Sequence, residues 1–282
     1  MKIALIGAGE MGSAVGARLG ARGARVVTSL RGRSAASVDR VRKAGLEVVD
    51  GDRDLVDGAV FVLSIVPPGQ ALGVAQSLCP ILAQAVDKPL YVDCNAVAPK
   101  TVQGIADAIR PSGCGFIDAG IVGAPPGDGY DGPRIYASGI DARALRALGE
   151  FGLSIRILDG GVGTASALKM SYAGITKGLT GVGAAMMLDA SRAGVAAALR
   201  RELEESQPQV FAWITRQVPR MYPKAYRWVA EMEEIASFSH DDPGTEAIYQ
   251  GLARLYEDFA AAFERRNGAT DPMLDSVTEF IK

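Results

Sequence analysis

The sequence predicts an α/β fold, a parallel sheet wound with helices in the N-terminal part and followed by an all-α C-terminal part. Three observations predict it. Short β-branched runs alternate with helix-like stretches up to Asp159, the order expected of strands joined by helical crossovers. A glycine-rich turn, Gly7-Ala8-Gly9-Glu10-Met11-Gly12, joins the first run to the first helical stretch. Beyond Asp159 the strand signals stop, and the longest helical stretch follows over residues 165–191. A chain of 282 residues exceeds what one core usually serves. The reading is therefore two domains, 1–160 and 161–282, with the boundary near 158–163.

Taken in order, residues 2–6, 25–30, 46–49, 59–65, 90–93, 115–118 and 134–138 read as strands. Residues 11–21, 36–43, 70–82, 99–109 and 141–149 have helical composition, several with Pro or Asp near the start. Farther on, Asp242-Pro243 opens a helix and Asn267-Gly268 closes it, while Asp271-Pro272 opens the last one. The long helix contains Gly174, Gly178, Gly181 and Gly183. Each weakens a helix by up to ~1 kcal/mol relative to Ala, so another helix must approach closely there.

Several function classes are excluded by composition. Hydrophobic residues make up 48% and charged residues 22%, with a net charge of −2, so the chain is globular and carries no basic face for nucleic acid or anionic lipid. Cys79, Cys94 and Cys114 are odd in number and widely spaced, unlike a disulfide framework or zinc ribbon, and point to a reducing cytoplasm. With His240 as the only histidine, a His-based metal site or a Ser-His-Asp triad has little to be built from. No metal is expected. His240, beside Asp241 and Asp242, reads as a loop residue. The apolar run at residues 3–6 ends at once in glycines, unlike a secretory signal, and Lys169, Lys177 and Asp189 interrupt the longest candidate membrane span. A soluble protein is expected.

The glycine turn carries the chemistry. Its spacing after a strand and before a helix gives Gly7 a tight turn, Gly9 a close backbone approach to a pyrophosphate, and Gly12 close helix–strand packing, with Glu10 and Met11 opening the helix. This is the Rossmann dinucleotide-binding arrangement, in which the helix N-terminus holds the phosphate charge. At the end of the second strand an NAD enzyme usually offers a carboxylate to the ribose. Here Thr28-Ser29-Leu30-Arg31-Gly32-Arg33-Ser34 has none before Asp39. Arg31, Arg33 and Ser34 stand where a 2′-phosphate would lie, so NADP is the expected cofactor. Val66 and Pro67, and Asn95 after Asp93-Cys94, fall at strand ends that border the ligand crevice of an open sheet. Asn95 either bonds the cofactor's ribose or carboxamide or forms a turn.

With these motifs the chain resembles the β-hydroxyacid dehydrogenases, relatives of 3-hydroxyisobutyrate dehydrogenase and 6-phosphogluconate dehydrogenase. The resemblance rests on Gly7–Gly12, on Asp93-Cys94-Asn95 with Pro99, on Asp118-Ala119-Gly120-Ile121-Val122-Gly123-Ala124 at the substrate loop, and on Gly160-Gly161-Val162-Gly163 followed by Lys169. It implies that Lys169 is the acid–base group beside the nicotinamide, near the cleft between the domains. The chemistry is consistent with this role, since hydride transfer to a carbonyl leaves an oxygen that an ammonium can both stabilise and protonate. Gly123 and Ala124 would offer backbone contacts to a small-molecule substrate. Two departures stand out: the family's carboxylate-holding serine is replaced at Val122, and its asparagine one turn after the lysine is replaced at Ala173. Lys177, eight residues beyond Lys169, is a candidate substitute, with Tyr172 and Thr176 as further candidates. Arg227 and the cluster Glu231, Glu233 and Glu234 fall where the family has a charged residue near the nicotinamide, or else form a solvated helix face with an Arg227–Glu231 pair. The resemblance further implies a homodimer through the helical domain, to which the helix glycines would contribute. Competing readings are an imine reductase of the same fold, although such enzymes usually lack the lysine, and a cofactor-bound scaffold without turnover.

Overall fold

The computed structural model describes residues 1–266 and 270–282, and the chain divides into two compact units, Met1–Met170 and Ser171–Lys282. The expected helix stop at Asn267-Gly268 lies outside the described residues. In the first unit the strands are β1 (Lys2–Ile6), β2 (Arg25–Ser29), β3 (Glu47–Val49), β4 (Phe61–Ser64), β5 (Leu90–Asp93), β6 (Phe116–Val122), β7 (Arg134–Ser138) and β8 (Ser154–Ile157). They form one sheet in the order β3-β2-β1-β4-β5-β6-β7-β8. The helices of this unit are α1 (Glu10–Ala21), α2 (Ala35–Lys43), α3 (Asp52–Val56), α4 (Pro68–Gln84) and α5 (Pro99–Ile109), and the start of α6 (Thr164–Arg192) also belongs to it.

Successive residues of the strands pack to opposite faces. Ile3, Leu5, Leu63 and Ile117 bury against Val15 and Leu19 of α1 on one side. Ala4, Val62 and Tyr91 bury against α4 and α5 through Ala75, Leu82, Ile105 and Ile109 on the other. Coverage of both faces explains why these strands read as nearly continuous apolar runs.

The sheet corrects the expectation of an all-parallel arrangement, because β7 runs antiparallel to β6, whereas every other adjacent pair is parallel. Residues 123–133 between them include no helix long enough for a crossover, so the chain turns straight back. β6 also runs on past Asp118 to Val122, β8 and α3 are additional elements, and the expected helix at 141–149 is a 3₁₀ segment, Ala142–Gly149.

The second unit contains the rest of α6 with α7 (Ala196–Ser206), α8 (Pro208–Met221), α9 (Ala225–Phe238), α10 (Pro243–Arg266) and α11 (Pro272–Ile281). Pro243 and Pro272 each occupy the first helical turn as expected, and the Asp271 carboxylate accepts from the amides of Met273 and Leu274. The α6 glycines are explained within this unit. A methyl group on Gly174 would lie 2.7 Å from the Tyr249 hydroxyl, one on Gly181 2.6 Å from Leu252, and one on Gly183 2.7 Å from Ile214. They admit α10 and α8 of the same chain, so they are not evidence for a second subunit. No helix among the described residues is long and apolar enough to cross a membrane.

Candidate functional site

The turn after β1 is shaped by contacts that only glycine permits. Gly7 has a left-handed φ of 100°, and a side chain there would run into the carbonyl of Ile65 at the end of β4. A methyl group on Gly12 would collide with the carbonyl of Gly7. Gly9 is the N-cap of α1, where no side chain caps the first turn, and the space that its Cβ would point into is open. An uncapped helix N-terminus beside open space is a site for an anion. The turn therefore fits the pyrophosphate of a dinucleotide.

Beyond β2, Arg31 and Ser34 are exposed and Arg33 is partly so. Ser34 is the N-cap of α2 and accepts from the Ser37 amide. Arg31 borders a surface pocket with Asp52, Arg53 and Asp57. A residue that the sequence reading missed stands closer to the glycine turn. The Arg40 guanidinium donates to the carbonyl of Ala8 at 3.2 Å and to Ser37 Oγ at 2.9 Å. The signal was available, since Ser34, Ser37 and Arg40 are spaced three residues apart and share a helix face.

At the carboxyl ends of β4 and β5, Pro67 caps α4 and Asn95 is 2% exposed. Asn95 Oδ1 accepts from the Val66 amide at 2.7 Å, and its amide nitrogen donates to Ser64 Oγ at 3.1 Å and to the Asp93 carboxylate at 2.7 Å. Both amide protons are used inside the protein, so Asn95 ties two strand ends together. Burial pushes the Asp93 carboxyl up to about 7, against the lowering effect of bonds from Asn95, and the neighbouring Asp118 adds to the rise.

Asp93 and Asp118 are register partners on β5 and β6, and both are fully buried. Asp118 Oδ2 accepts from the amides of Gly163, Ala165 and Ser166 at 2.8–3.1 Å and from Ser138 Oγ at 3.0 Å. Its Oδ1 accepts from Ser166 Oγ at 2.7 Å. This carboxylate thus caps α6 from a neighbouring strand. Two residues along β6, a methyl group on Gly120 would lie 2.9 Å from the Ala165 carbonyl and 3.0 Å from Lys169 Cβ. Lys169 is accordingly seated on β6 just past the level at which β5 ends. Its side chain is half-buried and forms no ion pair or hydrogen bond with any described residue.

Val122, next on this strand, is buried, while Gly123 and Ala124 are exposed. The Tyr130 hydroxyl fills the side of Gly123 that a Cβ would take. Arg18 of α1 holds this connection through its main chain, donating to the carbonyls of Gly127, Tyr130 and Gly132 at 2.8–2.9 Å.

The candidates beyond Met170 differ from expectation. Lys177 is not a spare amine: it is ion-paired with Glu231, both side chains being 15% exposed, and lies 4.9 Å from the centroid of the Trp228 ring. Glu231 is therefore an interior partner of α6 and not part of a solvated acidic face, although Glu233 is exposed. Ala173 is 1% exposed and packs inside the unit, whereas Tyr172 is exposed. His240 is an exposed turn residue beside Asp241. Among the described residues no cluster suits a metal ion.

Residues 2–148 match the family model described as the NAD binding domain of 6-phosphogluconate dehydrogenase, and residues 190–259 match a domain of unknown function, DUF1932. The chain is 30% identical over 211 residues to an uncharacterized 28.5 kDa protein of Methanothermus fervidus, covering 75% of this chain and 79% of that protein. It is 32% identical over 130 residues to 3-hydroxyisobutyrate dehydrogenase of Pseudomonas aeruginosa, covering 44% of this chain and 42% of that enzyme. A solved structure of a conserved protein of unknown function, described as similar to 3-hydroxyacid dehydrogenases, aligns with a TM-score of 0.69 at 29% identity, covering 93% of this chain and 97% of the other.

Proposed function

The chain belongs to the β-hydroxyacid dehydrogenase family, and on that premise we propose that it transfers a hydride between NADPH and a small carbonyl or hydroxy compound, with Lys169 as the acid–base group. The observation that carries this reading is Lys169, half-buried and without a partner among the described residues, at the start of α6 against β6, the strand that follows β1, β4 and β5 in the sheet.

Bound NADPH supplies the hydride. In carbonyl reduction the Lys169 ammonium stabilises the charge growing on the substrate oxygen and donates a proton to it; in alcohol oxidation the amine takes that proton back. Gly7, Gly9, Glu10, Met11 and Gly12 receive the pyrophosphate at the head of α1, and Val66 and Pro67 border the cofactor along the strand ends. Arg31, Arg33 and Ser34, joined by Ser37 and Arg40, take the 2′-phosphate, which guanidinium groups match well. Gly123 and Ala124 offer main-chain groups to the substrate, while buried Val122 offers no polar one. Residues 1–160 then carry the nucleotide, and residues 161–282 carry the subunit contact.

That contact is a homodimer. From Tyr172 to Met186, α6 exposes Tyr172, Ile175, Leu179, Val182 and Met186 at alternating spacings of three and four, the repeat of a helix-packing seam. A two-fold contact needs one such stripe per subunit. The three free cysteines suit a reducing cytoplasm.

The decisive test is NADPH consumption with a panel of aldehydes, ketoacids and cyclic imines. Oxidation with carbonyl compounds is expected. Turnover restricted to imines would transfer the protein to C=N reduction, and no turnover with any class would leave the scaffold reading. Light scattering should find a dimer that Ile175→Glu with Leu179→Glu converts to monomer; a monomeric parent protein would remove the dimer proposal.

A further inference from the structure

The geometry points to Asp118 as a positioning residue that fixes where the Lys169 amine stands, an inference that rests on the acid–base role of Lys169. Asp118 is 0% exposed and pairs with no cation among the described residues, yet five donors converge on its carboxylate. Three of them are main-chain amides of Gly163, Ala165 and Ser166, groups that a helix leaves without partners at its start and that carry the positive end of its dipole. The cap is supplied by β6, so it fixes the start of α6 against that strand as well as satisfying the first amides of the helix. Ser138 Oγ reinforces the cap by accepting from the Ala165 amide at 2.9 Å while donating to Asp118.

A second restraint lies two residues along the same face of β6. Gly120 leaves room for Ala165 and for Lys169 Cβ, one helical turn apart. Asp118 holds the head of the helix, and Gly120 sets how closely the next turn lies on the strand. Together they define the height and rotation of α6 at Lys169. The lysine side chain therefore starts from a defined Cβ, although no described group holds its amine. A displacement of about 1 Å in such a group can lower turnover by ~100-fold.

The test is a double-mutant cycle in the full chain, with Asp118→Asn and Lys169→Met made singly and together. Asp118→Asn presents an amide where only acceptors fit, and should lower kcat by ~10–100-fold with the dissociation constant for NADPH unchanged in fluorescence titration. On the Lys169→Met background it should lower kcat by less than about 2-fold, because the group that it positions is gone. An equal factor on both backgrounds would mean that Asp118 acts independently of the lysine, and would overturn the inference. If Asp118→Asn does not fold, Ser166→Ala removes the bond to Oδ1 alone and replaces it in the cycle. A separate readout is the rate of reductive methylation at Lys169, followed by mass spectrometry. The variant should change this rate several-fold relative to exposed lysines, and an unchanged rate would also overturn the inference. Full turnover in Lys169→Met alone would instead refute the acid–base role, whatever the methylation result for Asp118.

Discussion

Lys169 and Lys177 lie eight residues apart on one helix, and their surroundings are opposite. Lys177 is neutralised by Glu231 and covered by Trp228, and its carbonyl accepts from the Tyr256 hydroxyl. Lys169 rests on a glycine and meets no counter-charge among the described residues. A charge that holds a fold together is compensated by the protein, whereas a charge that moves protons must be left open to its substrate. Residue type and helix position made the two look equivalent in the sequence. Only the partner on α9 separates them.

The largest effect expected from this contrast is on turnover. Lys169→Ala should lower kcat by ~10²–10⁴-fold while thermal stability stays near that of the parent. Next comes the converse for Lys177. Lys177→Met removes the charge that neutralises Glu231 in a mostly buried position and should destabilise folding by about 3 kcal/mol, read from denaturant titration. Adding Glu231→Leu should restore much of that loss. If Lys177→Met instead stops turnover in a fully stable protein, the contrast between the two lysines is lost.

Arg40 sharpens the same idea at the cofactor end, because its guanidinium is only partly committed, to one carbonyl and one hydroxyl. Arg40→Ala should weaken NADPH binding by about 10-fold and leave NADH binding nearly unchanged. Equal weakening of both would make Arg40 merely a brace for the glycine turn.

The smallest effect concerns Asp93, whose buried charge is compensated by a bound proton. Its folded pKa, near 7, lies above the unfolded value of about 4. Between these values the folded protein holds a proton that the unfolded chain has released, so the contribution of Asp93 to stability falls as pH rises from about 4 to about 7 and is level above that. Asp93→Asn should flatten this part of the melting-temperature profile by a few °C. A slope identical to that of the parent would show that Asp93 does not titrate there.

The sequence made the sheet half largely legible. The strand at Lys2–Ile6, the glycine turn and α1 announce one another, because their spacing is set by a backbone contact between Gly7 and Gly12 that no other residue allows. What escaped depends on partners remote in the chain. α3 is too short to show a helical period, and β8 is an edge strand without alternation, with Ser154, Ile155 and Ile157 half-buried. The direction of β7 is decided by the chain before it. That Asn95 ties Ser64, Val66 and Asp93 together is not marked by its own spacing, and the helix glycines suggest a second subunit until Tyr249, Leu252 and Ile214 are found against them. The glycine turn was visible because local spacing marks it, and Lys169 through the family resemblance; Asp118 was visible only as part of a motif, because its five donors come from two separate stretches of chain.

Arg18 grips the connection between β6 and β7 by carbonyl oxygens alone. Every amino acid brings a carbonyl, so exchanging Ala124 or Asp128 leaves that anchorage intact. The rim beside Gly123 can thus acquire new side chains while the underlying backbone keeps its path.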